Sequence, residues 1–404
     1  MYQITQNYKV FVFCVIFISF IDLSKYLGTV FWAPTYTLLL LEYVVLALYF
    51  SYPIIKNEFR NKITDGNYLF LNTFLVYTIY LTIKSIIEFQ GRNELIFILN
   101  STPGILLCTV AYRTTPLYLS YFFNKSIYKI TIIVFILFLP IWKYPEGTGY
   151  LMGLYLIPII FWGEFSQKKK IALLFLVIFI FSIGIQYDAR SQCIKFALTF
   201  ILGASLIYVK WIYKWIYKVL GLIFLVSPFI FLYLGLFSNF NIFDLSSEGK
   251  TSTLTQDTRT IVYEEAITSS INNKSIMFGR GFQHGYDSKF QYKREGNIGF
   301  ERGTSERKGE AQIVNYYTNG GLLYILLFFL LSASCFVKTF KAQNVYIKAV
   351  GLFVTFIWFY SWIEFMTNVN ITTLCLWLFY GMCLSPEFIR MNNQEFKTYI
   401  KKYL

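Results

Sequence analysis

Long apolar segments alternate with short polar loops along most of the chain, without the period of two of a half-buried strand or the 3.6 of a surface helix. The run Ile171–Ile185 is apolar on every face apart from Ser182 and Gly184. A helix that is apolar on all faces is typically surrounded by lipid or by other helices of a bundle. The pattern predicts an all-α polytopic integral membrane protein with about twelve transmembrane helices. We place them near residues 8–28, 35–55, 68–88, 94–112, 127–142, 149–165, 171–187, 193–209, 217–237, 312–337, 347–366 and 370–385.

One polar stretch, Ser238–Ala311, is much longer than any other and divides the chain. The expected domains are residues 1–237 with transmembrane helices 1–9, residues 238–311 as a large extracytoplasmic loop, residues 312–385 with helices 10–12, and residues 386–404 as a cytoplasmic tail. The first apolar run meets Asp22 and Lys25 instead of a small-x-small cleavage site, so we expect an uncleaved first span.

Composition and charge support a membrane protein and give it an orientation. The chain is 56% hydrophobic and 14% charged, whereas soluble proteins carry roughly 25% charged residues. Ser238–Ala311 holds ten basic and ten acidic residues, so the net charge of +14 lies entirely outside it. The excess lysines and arginines lie in alternate short loops, such as Lys168–Lys170, and in the tail. The positive-inside rule then predicts that both termini are cytoplasmic and that the long loop lies on the outer face. Basic residues spread over short loops do not indicate nucleic-acid binding.

Cysteine and histidine are used in a way that excludes several site classes. All six cysteines lie in or at apolar segments, no CxxC pair occurs, and His284 is the single histidine. We therefore expect no metal site, no cofactor and no disulfide in the long loop. His284 has no Ser or Cys nucleophile elbow nearby and is expected to be a surface histidine of the loop.

Several ionisable residues lie within the predicted spans, in the outer half of the membrane. They are Asp22, Lys25, Glu42, Lys84, Lys195 and Glu364. Charges in lipid usually face a cavity or a partner, which favours a water-accessible cavity open to the outer face. For the lysines near helix ends, snorkelling to the interface is an equally good interpretation.

Two arginines are candidates for binding phosphate. Arg190 lies in a very short outer turn, which holds it at the membrane surface, where it binds either a substrate or lipid phosphate. Arg259 falls in the first turn of a predicted helix with Asp257 or Thr255 as its cap and an apolar face that includes Val262. A cation at the start of a helix is unfavourable unless an anion binds there. Its presence therefore favours a phosphate that is bound jointly by the guanidinium and the free helix N–H groups. The alternative is that Arg259 pairs with Asp257 or Glu264.

A glycine-flanked turn, Ile276–Phe282, follows this helix and carries Arg280. It lacks the Walker lysine and the following helix of a nucleotide-binding loop. Near the end of the polar stretch, Glu310 precedes the next span. Together with Glu264 and Glu265 it is a candidate carboxylate for acid–base chemistry.

The combination of these features resembles a known family. An arginine in a short outer turn (Tyr187–Ser191) is joined by a second arginine that opens a loop helix, Thr258-Arg259, followed by Glu264-Glu265-Ala266. A Phe-Gly-x-Gly turn and a Gly-Leu span come next. This pattern is similar to the Wzy-type polymerases of O-antigen and capsule repeat units and to the wider O-antigen polymerase/ligase superfamily. The local motifs cover about residues 186–192 and 257–322.

The resemblance implies a substrate and a reaction. Family members join oligosaccharide repeat units linked to undecaprenyl pyrophosphate at the outer face of the bacterial inner membrane, in O-antigen or capsule biosynthesis. The expected enzyme is a metal-independent membrane glycosyltransferase in which Arg190, Arg259 and Arg280 bind the pyrophosphate. Glu310 is the first candidate for the catalytic base, with Glu264 and Glu265 behind it. Membrane lipid and a chain-length regulator are the other expected partners.

Two alternatives are kept open. The first is an O-antigen ligase, whose branch has a histidine and an asparagine where this chain has Glu310-Ala311, which favours the polymerase. The second is a flippase or transporter for the same lipid-linked oligosaccharide. A transporter is expected to have internal repeats and a central charged path, and the chain shows no evident repeat.

Overall fold

The computed structural model describes a helical protein, mainly in its second half. The described residues are 62–91, 94–95, 97–99, 101–102, 107–113, 166–168, 170–171, 174–175, 178, 182, 201, 212–237, 258–288, 306–309, 311–364 and 371–401. Helices account for 79% of them, which confirms a mostly helical chain. The spans predicted within residues 1–61 and 114–165 lie outside the described residues, so the number of twelve stays a prediction.

The longer helices of the described part are numbered here in chain order. They are α1 (Leu69–Glu88), α2 (Ile212–Phe237), α3 (Thr258–Asn272), α4 (Gln312–Phe340), α5 (Val345–Tyr360), α6 (Ile371–Leu384), α7 (Pro386–Arg390) and α8 (Asn393–Lys401). Short 3-10 helices form at Gly66–Tyr68 and Leu107–Arg113. Two short strands, β1 (Tyr286–Asp287) and β2 (Glu306–Arg307), pair antiparallel inside the polar loop and add a small sheet to a fold that we predicted to be all-α.

Three helices of the described part are long and apolar enough to cross a membrane, namely Gly66–Glu88, Trp215–Tyr233 and Gln312–Phe340. They coincide with the spans predicted near residues 68–88, 217–237 and 312–337. The span predicted near 94–112 differs, because residues Leu107–Arg113 form a 3-10 helix. Pro103 and Gly104 precede this segment, and both residues oppose a continuous α-helix.

Helices α1 and α4 pack against each other in antiparallel directions. The Lys338 ammonium donates a hydrogen bond to the Asn67 carbonyl at one end. Further along, the hydroxyls of Thr78 and Tyr324 are 2.7 Å apart, and the rings of Phe74 and Tyr324 stack at 5.0 Å. The C-terminal end of α4 therefore lies beside the start of α1.

Helix α4 is broken at Gly321, whose φ of 69° and ψ of −165° are outside the helical region. Every residue from Gln312 to Gly320 is buried, and the second part, Leu322–Phe340, forms the apolar span. At 1.5 Å per residue this second part is about 28 Å long. Only glycine adopts this backbone conformation readily, which explains why a glycine stands at the break.

The core of the described part is aromatic and surrounds α5. Trp358 and Trp377 are among the largest fully buried side chains. The Trp358 indole N–H donates to the Leu225 carbonyl of α2 at 3.2 Å, and its ring packs 5.6 Å from Phe328 of α4. Helix α5 is therefore fixed between α2 and α4.

The predicted tail, residues 386–404, contains the two short helices α7 and α8. Pro386 starts α7 at a position where the missing N–H costs nothing. The Asn344 side-chain amide, in the turn between α4 and α5, donates to the carbonyls of Phe388 and Met391 at 2.9 Å each. Phe388 and Phe396 are fully buried, so α7 and α8 dock on the end of the bundle where that turn lies.

Candidate functional site

The described parts of the long polar loop, residues 258–288 and 306–309, fold onto the break in α4. The amides of Arg280 and Gly281 donate to the carbonyls of Thr318 and Asn319 at 2.8 and 2.9 Å. In return, the amides of Leu322 and Leu323 donate to the carbonyls of Ile276 and Met277 at 2.9 and 3.2 Å. These four bonds satisfy backbone groups that the break releases from the helix.

Helix α3 has the features that the sequence predicted. It begins at Thr258, so Arg259 lies in its first turn, and Val262 and Ala266 are buried on its apolar face. The Arg259 side chain lies outside the described part of the structure. The first N–H groups of an α-helix have no partner within the helix, and an anion is expected to bind beside them.

The Gly279-Arg280-Gly281 turn brings the loop close to the α4 break. Both glycines have positive φ, 67° and 89°, which most side chains avoid. A Cβ atom at Gly279 would overlap the backbone of Asn319 and Gly320. The turn therefore fixes the starting point of the Arg280 side chain.

The Arg280 guanidinium is the centre of a polar cluster and is only 13% exposed. Its Nη2 lies 2.6 Å from Glu306 Oε1, and its Nη1 lies 3.3 Å from Asp287 Oδ1. Nη1 also donates to the Gly285 carbonyl at 2.9 Å. Arg280 thus joins the residues of β1 and β2, which are distant in sequence.

Glu306 accepts hydrogen bonds from three directions. Besides Arg280, these come from the Gly285 amide at 3.1 Å and from His284, whose Nδ1 lies 3.4 Å from Oε2. Burial by itself raises the pKa of Glu306, but the hydrogen bonds and the Arg280 charge outweigh burial and lower this pKa below its ordinary value. Glu306 is therefore a carboxylate at neutral pH.

The contact with Glu306 also orients His284. If Nδ1 carries the proton and donates it to the carboxylate, Nε2 is the ring atom with a free lone pair. The His284 side chain is 30% exposed, so it is neither a freely solvated surface residue nor a core residue. The structure places it inside the polar cluster, which a lone histidine in a sequence does not reveal.

Asp287 connects the cluster to the C-terminal end of α3. Its carboxylate accepts from Ser269 Oγ at 2.9 Å and from Asn273 Nδ2 at 2.8 Å, and its amide donates back to Ser269 Oγ at 3.0 Å. Burial raises the pKa of Asp287, and the bonds from Ser269, Asn273 and Arg280 lower it further than burial raises it. The net effect is a pKa below the ordinary value.

Lys308 fastens β2 to the buried start of α4. Its Nζ donates to the carbonyls of Phe282 and His284 at 3.1 and 2.8 Å and to Asn319 Oδ1 at 3.0 Å. Burial, assisted by the Arg280 charge, lowers the pKa of Lys308 to about 7 although Glu306 opposes the shift. Three oxygen acceptors match the three N–H donors of an ammonium group. Lys308 therefore holds β2 against the start of α4 and is not available as a base.

A second group of contacts forms at the other end of α3. The Tyr263 hydroxyl donates to the Trp362 carbonyl at 2.6 Å, just beyond the C-terminal end of α5. At the same place the Gln312 amide donates to the Glu364 carbonyl at 3.0 Å. Arg259 lies one helical turn before Tyr263, and Glu310 lies two residues before Gln312. The chain at Tyr263 and the chain at Gln312 therefore approach the same end of α5.

The candidate site residues predicted from the sequence do not all lie together in the structure. Arg190 and Glu310 lie outside the described residues. Glu264 is exposed, and Glu265 accepts a 2.8 Å hydrogen bond from Ser288 Oγ. The Arg280 guanidinium contacts Asp287, which accepts a hydrogen bond from Ser269 of α3. Ser269 is about 15 Å along that helix from Arg259. The Arg280 guanidinium is occupied by carboxylates, so binding pyrophosphate would require these contacts to break.

Sequence reasoning missed the cluster around Arg280. Its members Asp287, Glu306, Lys308 and Asn319 lie between 7 and 39 positions after Arg280 and share no motif spacing. The one local signal is the pair of glycines around Arg280, because a Gly-x-Gly turn holds the middle residue against a neighbouring backbone. That signal identifies the turn but not the partners.

Within the described ranges, no group of three or more His, Cys, Asp or Glu side chains is arranged to hold a metal ion. No protein-family model, curated protein or solved structure matches the chain. Function is therefore inferred from the residues themselves.

Proposed function

We propose that the protein is a repeat-unit polymerase. It is a multi-pass glycosyltransferase of the bacterial inner membrane, with about twelve spans and the long loop on the outer face. It joins oligosaccharides carried on undecaprenyl pyrophosphate. The observation that supports this proposal is that Tyr263, one turn after Arg259, and Gln312, two residues after Glu310, contact the same end of α5.

In the proposed reaction, a hydroxyl oxygen of the incoming repeat unit attacks the anomeric carbon of the growing chain. The bond between that carbon and the pyrophosphate oxygen breaks, and undecaprenyl pyrophosphate leaves with the bonding electron pair. The hydroxyl proton passes to the Glu310 carboxylate. No oxidation or reduction takes place.

The arginines act on the leaving group. Negative charge accumulates on the pyrophosphate oxygens as the bond breaks, and fixed guanidinium groups stabilise that charge. Arg259 does so together with the N–H groups at the start of α3, and Arg190 contributes from the earlier outer turn. The separation of Arg280 from Arg259 gives Arg280 another role, which is to hold the loop that presents α3.

Chain-length analysis of the polysaccharide tests the proposal. Arg259→Ala, Arg190→Ala and Glu310→Gln are each expected to leave single repeat units on the lipid core while the protein still inserts at normal levels. Arg259→Lys is expected to fail as well, because lysine cannot bind two phosphate oxygens in the fork geometry of arginine. Thr268→Ala is the matched control, since this side chain is exposed on the same helix and is not a candidate site residue.

The outcomes distinguish the alternatives. Normal chain lengths in both arginine variants would contradict the pyrophosphate assignment. Complete loss of repeat units from the lipid core, in place of single units, would indicate a ligase or a flippase.

A further inference from the structure

We propose that the tip of the turn after α3, residues Ile276, Met277 and Phe278, is inserted into the hydrocarbon of the membrane leaflet on the side of the polar loop. The turn would then be a short re-entrant segment and not a part of the loop in water. This inference rests on the fold alone and does not depend on the polymerase proposal.

The first step concerns depth. The Tyr77 hydroxyl, from the middle of α1, donates to the Gly320 carbonyl at 2.9 Å and to the Phe278 carbonyl at 3.3 Å. Four residues later, the Phe282 amide donates to Ser85 Oγ at 2.7 Å. Tyr77 and Ser85 are about 12 Å apart along α1. The loop therefore runs along α1, and its tip is the end nearer the middle of this span.

The second step concerns what lies beyond the tip. Past Tyr77, helix α1 exposes the apolar side chains of Ile79, Ile83, Ile86 and Ile87. Its charged residues in this part are Lys84 and, at the helix end, Glu88, whose side chains lie 4.0 Å apart. Exposed isoleucines of a spanning helix belong in hydrocarbon. Since these residues lie between the level of Tyr77 and the helix end, the tip lies below the boundary of the hydrocarbon.

The third step concerns backbone groups. Non-helical backbone at membrane depth is tolerated only where protein groups satisfy it. The carbonyls of Ile276 and Met277 accept hydrogen bonds from Leu322 and Leu323, and the Gly279 amide donates to the Ser275 carbonyl at 2.8 Å. The tip thus keeps these polar backbone groups paired with protein.

The fourth step concerns side chains. Met277 is 54% exposed and Phe278 is 61% exposed, although both are apolar. On α1, Val76 and Tyr80 lie on either side of Tyr77 in the sequence and are also exposed, so the tip contacts α1 where this helix exposes apolar side chains. An isolated exposed residue needs no explanation, but a continuous apolar patch indicates a binding surface. Lipid hydrocarbon is the partner that fits both the depth and the chemistry.

Photocrosslinking tests the insertion directly. Full-length protein carrying Phe278→p-benzoylphenylalanine is reconstituted in nanodiscs of phosphatidylethanolamine and phosphatidylglycerol, irradiated, and examined by intact mass and peptide mapping. The same amino acid at Val76 is the lipid-facing control, and at the exposed Glu264 of α3 it is the control in the polar part of the loop. All three sites are exposed, so the variants are expected to fold.

The expected result is an adduct of one phospholipid at position 278, at a yield within about twofold of position 76 and at least fivefold above position 264. A yield at 278 equal to that at 264, while 76 is labelled, would overturn the proposal. Crosslinks from 278 to another segment of the protein instead of lipid would overturn it as well. Neither result would bear on the polymerase proposal, which is tested by the arginine variants.

Discussion

Replacement of Gly321 by alanine is expected to detach the polar loop from the break in α4. At this position φ is 69° and ψ is −165°, a conformation that is essentially restricted to glycine. An added Cβ atom would lie 2.5 Å from the Phe278 amide nitrogen and closer still to the Met277 carbonyl. The substitution therefore forces either the helix or the loop to move.

The size of the effect follows from these two costs. An unfavourable backbone conformation of this kind costs about 1–3 kcal/mol. If the loop moves away to relieve the overlap, the four hydrogen bonds between residues 276–281 and 318–323 are lost, at about 0.5–1.5 kcal/mol each. Gly321→Ala should therefore lower the free energy of loop docking by at least about 2 kcal/mol.

Hydrogen exchange followed by mass spectrometry measures this docking in detergent or nanodiscs. Peptides that contain the amides of Arg280, Gly281, Leu322 and Leu323 should exchange at least about thirtyfold faster in Gly321→Ala, the factor that corresponds to about 2 kcal/mol. Gly66→Ala is the matched control, because an added Cβ atom there meets nothing within 4 Å. Unchanged exchange in Gly321→Ala would refute the docking of the loop on the helix break.

Three further predictions concern the polar cluster and the tip. Glu306 and Asp287 have lowered pKa values in the folded protein. Their contribution to stability is therefore complete above their ordinary pKa values of 4.5 and 3.8 and is lost as the pH falls through the lower folded values. The melting temperature should decrease below about pH 4.5, and this decrease should be smaller in Glu306→Gln. Arg280→Lys should destabilise the loop by about 1–3 kcal/mol because one ammonium cannot replace both guanidinium contacts, and equal thermal stability would contradict this. Phe278→Asp should lower the melting temperature in nanodiscs, whereas Phe278→Leu should not. Equal melting temperatures of the two variants would indicate that the tip lies in water.

The sequence alone was sufficient for the elements that depend on local pattern. Helix α3 could be predicted because Val262 and Ala266 recur at helical spacing after a polar start, and the structure confirms both the helix and its buried face. The spans at Gly66–Glu88 and Gln312–Phe340 follow from hydropathy. Charge bias predicts the orientation of the protein in the membrane, and that prediction stays untested.

Long-range pairing could not be predicted in this way. An isolated Arg280 is equally suited to phosphate and to carboxylate, and only the fold brings Glu306, 26 positions away, within hydrogen-bonding distance. The Gly320-Gly321 pair could equally belong to an uninterrupted span, because the bonds that stabilise a break come from residues about 40 positions earlier. The sequence pattern likewise predicts only a cytoplasmic tail at residues 386–404, because the burial of Phe388 and Phe396 depends on contacts with the rest of the fold.

Polymerisation by the purified protein tests the proposed function most directly. The protein is incubated without added metal with undecaprenyl-pyrophosphate-linked repeat units from cells that carry its gene, and products are separated by length while released undecaprenyl pyrophosphate is quantified. We expect a ladder of products with one undecaprenyl pyrophosphate released per new linkage. This activity should be lost in Arg259→Ala and retained in Thr268→Ala, whose side chain is exposed on the same helix. Substrate that stays as single units with the wild-type protein, or polymer that forms equally with Arg259→Ala, would contradict the proposal.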